Sequence, residues 1–200
     1  HTNAFKINED VVIPLPRMAE YTDGIERINI ELSLRNKIAL CGELAAFFSH
    51  GDLPLGQQDD AAGIASAELL EDRVAQALAV VQDVRALWQG WLQDVATLFP
   101  QLQDHTLRAS WKTQIRDPLA TIFTGAAFQP IMDACTGMHQ KVLKGRVWVA
   151  LHMHAGDGNV HTNIPVNSDN YEMLQTAHGA VKRIMVLARS LDGVISGEHG

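Results

Sequence analysis

The chain has little with which to cross-link itself, hold a polyanion or enter a membrane. Its 200 residues include two cysteines, Cys41 and Cys135, which form neither a CxxC pair nor a disulfide framework. They read as reduced, buried thiols of a cytoplasmic protein. There is no Lys/Arg run and no basic–aromatic stripe, and the formal net charge is −7. Nucleic acid and an anionic membrane surface are thereby excluded as main partners. No apolar run approaches the roughly 18–20 residues of a membrane span, and no secretory signal is present. The HExxH helix of a zinc hydrolase is missing, as are the Lys and following helix start that make a Gly-rich loop a phosphate cradle. What remains is an ordinary globular composition, 46% hydrophobic and 20% charged, ample for one domain or one domain with a large insertion. The chain starts without Met and stops inside a Gly-rich motif, so it reads as a piece of a longer protein.

The richest stretch is Val147–Asn163, VWVALHMHAGDGNVHTN. Asp157-Gly158 is a two-residue hairpin signal, since a type I′ turn needs positive φ at both central positions. Alternating apolar residues flank it on both sides, the pattern of strands. A turn at Asp157-Gly158 sets His154 opposite His161 and His152 opposite Asn163. The Cβ atoms of cross-strand neighbours lie about 4.5–5.5 Å apart, close enough for two imidazoles to share an ion. The other face takes Val147, Val149, Leu151 and Met153 against Val160, Thr162, Ile164 and Val166, and reads as core. Two readings of the histidines stand: ligands of a borderline metal such as Zn²⁺, or surface imidazoles on an exposed sheet. Glu198-His199 is either a third ligand with an adjacent base or an exposed loop pair.

Elsewhere, residues 1–9 read as loose, and Asp10–Pro14 as a short strand that its prolines confine to an edge or an end. A helix is expected from about Arg17, with Met18, Tyr21, Ile25, Ile28 and Leu32 on one face and Gly24 weakening it by up to ~1 kcal/mol. Leu34, Ile38, Cys41, Ala45 and Phe48 continue on a shifted stripe that ends at His50-Gly51. After a loop at 51–65, residues from Leu70 to Leu98 alternate by four and three, the period of coiled-coil packing. Glu68, Glu71 and Asp72 fall in the first turn of this helix as read, and Pro100 stops it. A second helical region covers 104–143, with interruptions near Pro118 and Pro130. Together 34–143 form a large helical insertion. Leu174, Ala177, Val181, Ile184, Ala188 and Leu191 make a last amphipathic helix, capped by Asp169 and closed by Gly193, before a short strand at Val194-Ile195. The order predicts an α+β fold: a small antiparallel sheet with helices against one face.

HAGDGNVHTN (His154–Asn163), a helix and then SGEHG (Ser196–Gly200) resemble the C-terminal half of the FAD-linked oxidases. These are the D-lactate, glycolate and D-2-hydroxyglutarate dehydrogenases of the vanillyl-alcohol-oxidase superfamily. EDVVIPLPRM (Glu9–Met18) is similar to the strand and proline that open the cap domain of that family. The resemblance covers about 1–33 and 146–200, and the insertion is longer than the family usually carries there. It implies a substrate- and metal-binding cap domain of an FAD-dependent dehydrogenase that oxidises a small D-2-hydroxy acid. Its FAD would sit mainly on an FAD-binding domain of the full-length protein, and the 200 residues alone should be inactive. In metal-dependent members the two motif histidines and the Glu of GEH hold a divalent ion, typically zinc; those roles fall on His154, His161 and Glu198. The neighbouring His199 would take the hydroxyl proton, Asn163 would touch substrate, and Lys6 is the candidate for a substrate lysine, at a spacing that departs from the family's. The usual substrate-carboxylate Arg would precede His1. The location implied is cytoplasmic, with peripheral contact to the inner face of the membrane through an electron acceptor left open. The rival reading is a non-catalytic interaction domain built on the helical insertion, with no metal bound.

Overall fold

The computed structural model describes residues 4–56, 63–154 and 156–196. The chain forms two compact units: residues up to Ser33, Phe99–Asp104 and from Gly145 onward make one, and Leu34–Leu98 with His105–Lys144 make the other.

The first unit is built on an antiparallel sheet of four strands, β1 (Ala4–Val12), β2 (Ala150–Met153), β3 (Asn159–Asn167) and β4 (Val194–Ser196), in the order β2-β3-β1-β4. The α+β expectation holds. The place of the first strand does not: β1 takes in residues expected to be loose and lies inside the sheet. Its nine residues pair along their whole length with β3. Pro14 and Pro16 fall beyond Val12, past the ladder, so they remove no hydrogen bond from it.

Two helices cover one face. The first is α1 (Met18–His50), entered through a 3₁₀ turn at Leu15–Arg17. The other is α6 (Tyr171–Ser190). Val11, Ile13, Tyr21, Ile25, Ile28, Val160, Ile164, Val166, Ala177, Ile184 and Ala188 bury against one another there. A Cβ at Gly24 would stand 2.5 Å from Leu187 Cδ2 of α6, a side-chain end that would have to turn aside. The α6 cap is Asn170, whose Oδ1 accepts from Met173 N at 3.0 Å, one residue after the expected Asp169. At its end the left-handed residue is Asp192 (φ 61°) instead of Gly193. Gly193 is small for another reason: an added Cβ would meet Ile13 Cδ1 at 2.6 Å and the Ala188 carbonyl at 2.9 Å.

The second unit is helical. It holds the rest of α1 from Leu34, then α2 (Gly63–Gln93), the start of α3 (Val95–Gln103) as far as Leu98, a π-helical turn at Lys112–Arg116, α4 (Asp117–Ile122) and α5 (Gln129–Lys144). The seam read from the heptads is buried at Ala77, Val81, Trp88 and Val95. Because α2 starts at Gly63, Glu68, Glu71 and Asp72 lie past its first turn. The helical path also does not stop at Pro100, which α3 contains, and it closes with Asp104 N donating to the Pro100 carbonyl at 3.0 Å. Pro118 and Pro130 sit at the second residues of α4 and α5. Cys41 and Cys135 are free and buried, as expected.

Candidate functional site

The outer face of the sheet, opposite the helices, carries the candidate residues, and the pairing of strands decides which of them meet. The observed register sets Met153 against Val160, His152 against His161, Leu151 against Thr162 and Ala150 against Asn163. This is a shift of two residues from the pairing expected for an Asp157-Gly158 turn. The positive-φ residues are Gly156 (99°) and Gly158 (74°), not Asp157, so a longer loop replaces the two-residue turn. Across it, His154 N reaches the Asn159 carbonyl at 3.4 Å. A shift of two preserves every side chain's face, since strands alternate with period two. Val160, Thr162, Ile164 and Val166 are buried as expected, together with Val147 and Val149. Met153 is not; it is 52% exposed, at the last pair before the loop.

Two contacts hold the loop. The Gly158 carbonyl accepts from Ile13 N at 2.9 Å, which fastens it to the end of β1. Asp157 Oδ1 accepts from Asn159 N at 3.0 Å, and that backbone N–H holds the Asp157 carboxyl below its ordinary range.

One rung crosses all four strands: His152 of β2, His161 of β3, Asp10 of β1 and Ser196 of β4. His154, though not paired in the ladder, brings its ring to 5.3 Å from that of His161, almost perpendicular at 89°. His161 Nδ1 lies 2.5 Å from Asp10 Oδ1. A carboxylate only accepts, so a proton on Nδ1 is what would make this contact a hydrogen bond of the neutral ring. Imidazole Nε2 is a good ligand for a borderline divalent metal, and a carboxylate behind the ring is the usual support. The donor chemistry of this rung therefore suits such an ion.

Among the described residues, no three His, Cys, Asp or Glu side chains gather closely enough to hold a metal ion by themselves. His154 and His161 supply two nitrogens. Glu198 and His199 lie outside the described residues; in the sequence they follow Ser196, the last residue of the rung. Asn163 is on the outer face two residues from His161, paired with Asn8 of β1 and Ala150 of β2. Lys6 shares that face but pairs with Pro165, four residues and about 13 Å along β1 from Asp10 at 3.3–3.4 Å per residue. Asn8, between them, is nearer to Asn163. The sequence reading missed Asp10. Its one signal was the polar alternation Lys6, Asn8, Asp10 ahead of Val11, and its partner is 151 residues away.

No helix among the described residues is long and apolar enough to cross a membrane. Residues 127–200 match the family model described as "FAD linked oxidases, C-terminal domain". The chain is also 30% identical over 172 residues to a D-2-hydroxyglutarate dehydrogenase of Stutzerimonas stutzeri (strain A1501), across 78% of this chain and 36% of the relative. The chain thus spans about a third of the length of that curated relative. No solved structure matches it. The family match takes in His154, His161, α6 and β4, and with the relative it leads to one assignment: residues 127–200 carry a C-terminal domain of the FAD-linked oxidase family.

Proposed function

We propose that this chain is the substrate- and metal-binding cap domain of an FAD-dependent dehydrogenase that oxidises a D-2-hydroxy acid, of the lactate, glycolate or 2-hydroxyglutarate class, to the 2-oxo acid. The observation that carries the reading is the pair of rings, His154 and His161, 5.3 Å apart with Asp10 behind His161. The relative named as a D-2-hydroxyglutarate dehydrogenase supports the substrate class.

His154, His161 and Glu198 are the residues that would hold a divalent cation, Zn²⁺ by ligand preference. When bound, the cation supplies Lewis-acid acidification and orientation of the substrate hydroxyl. FAD would be held by a separate domain of the full-length protein and would supply the hydride acceptor. His199 takes the hydroxyl proton, a task suited to a neutral imidazole near pH 7. Asn163, two residues from His161, donates its amide N–H to the substrate, and Lys6 offers a cation to the carboxylate. The proposed location is cytoplasmic, with membrane contact only through an electron acceptor.

The rival reading, an interaction module on 34–143 that binds no metal, needs a dense apolar patch. Among the described residues of that stretch beyond 66, the large apolar side chains left exposed are Leu69, Leu87 and Leu143. Leu69 and Leu87 are about 27 Å apart along α2 at 1.5 Å per residue, so they form no such patch. A calorimetric Zn²⁺ titration of the chain and of the full-length protein, each beside its His161→Ala variant, tests the proposal. One-site binding lost in the variant, with D-2-hydroxy-acid oxidation by the full-length protein, supports it. A full-length protein that binds no metal and oxidises no such acid overturns it.

A further inference from the structure

We infer that Asp10 is a positioning residue: it fixes His161 as the Nδ1–H tautomer, so that Nε2 is the atom presented on the outer face. The relevance of this to a metal rests on the function proposed above, but the tautomer itself does not. The contact is 2.5 Å, and it joins the two directly paired residues of β1 and β3. It is held in a ladder of nine residue pairs, and the adjoining pair, Val11 and Val160, is buried. Thr162, next to His161, adds a hydroxyl donated to the Glu9 carbonyl, next to Asp10, at 2.7 Å. The backbone therefore delivers the carboxylate to Nδ1 whether or not an ion is present. Free imidazole holds both tautomers, and only one of them leaves Nε2 with a lone pair. Removing a carboxylate that orients a ligating histidine commonly lowers metal affinity by about 10–100-fold.

Asp10→Asn is the informative variant besides Asp10→Ala. An amide of the same size can turn its NH₂ toward Nδ1, and then the proton moves to Nε2. The experiment is ¹⁵N NMR of the His161 ring in the metal-free chain, at alkaline pH where the imidazole is neutral, for the wild type, Asp10→Ala and Asp10→Asn. Amide spectra in the same samples establish that each variant is folded, and a Zn²⁺ titration with a competing chelator follows on each. We expect Nδ1–H in the wild type, a mixture in Asp10→Ala and a shift toward Nε2–H in Asp10→Asn, with Zn²⁺ affinity down about 10–100-fold in both. A wild-type His161 found as Nε2–H, or a folded Asp10→Ala that keeps Nδ1–H, overturns the inference. The expected tautomers with no Zn²⁺ bound by any form, in the chain or full length, uphold the hold of Asp10 on His161 and refute the metal reading alone.

Discussion

Replacing Gly158 by alanine should cost distinctly more than the same change two residues earlier, at Gly156. Both glycines have positive φ, 74° and 99°, so each alanine is strained by about 1–2 kcal/mol. Their surroundings differ. A Cβ on Gly156 meets nothing within 4 Å, whereas one on Gly158 stands 2.5 Å from the Ile13 carbonyl oxygen. That neighbour is backbone at the end of β1, and it cannot rotate away. Relief requires the loop to lift off, which weakens the 2.9 Å bond from Ile13 N to the Gly158 carbonyl, a further loss of about 0.5–1.5 kcal/mol. Gly156→Ala should therefore lose about 1–2 kcal/mol and Gly158→Ala about 1.5–3.5 kcal/mol. Urea unfolding measures both, read from NMR signals of the sheet-bearing unit so that the helical unit does not mix into the transition. Equal losses would refute the argument from close approach, and a larger loss at Gly156 would reverse it.

Truncating Ile184, which is fully buried under the sheet, to alanine should cost about 2–5 kcal/mol of unfolding free energy, measured in the same assay. Burial pushes the Cys135 thiol up to about 12 and the Cys41 thiol to about 11. Both should resist a disulfide reagent at pH 8 in the native chain and react on unfolding; fast native labelling would contradict their burial. Asp157 has a folded pKa below its ordinary value near 3.8, owing mainly to the Asn159 backbone N–H. A depressed carboxylate stabilises above the unfolded value and loses that contribution as pH falls through the folded one. The Asn159 amide shift should thus titrate at a pH below 3.8 in the wild type, and the step should vanish in Asp157→Asn.

What the sequence could tell about the sheet was its faces, and what it could not tell was its neighbours. Alternation placed Val160, Ile164 and Val166 inward correctly, and an error of two in register left that untouched. The register itself depended on a loop with two glycines, and nothing local says which of them bears the turn. Of the two places the prolines allowed, an edge or an end, the second holds: they fall past Val12, a boundary fixed by β3 some 150 residues later, while β1 itself lies inside the sheet. The heptads of α2 were readable because they need only their own helix. Asp10 was not, since its meaning arises only when β1 is laid beside His161. The helix cap was misread by one residue, Asp169 for Asn170, because both side chains are competent and only the backbone chooses.

Asn29, on α1, ends in an amide that accepts from Val149 N at 2.7 Å and donates to the Val149 carbonyl at 2.9 Å. Val149 immediately precedes β2, the strand at the margin of the sheet. One side chain thus meets both backbone hydrogen-bonding groups of the residue that leads into this edge strand. Edges left open recruit other chains. The helix that buries the sheet's inner face also supplies a stopper for its rim, and a chain lacking that amide should be the more prone to stack with its own copies.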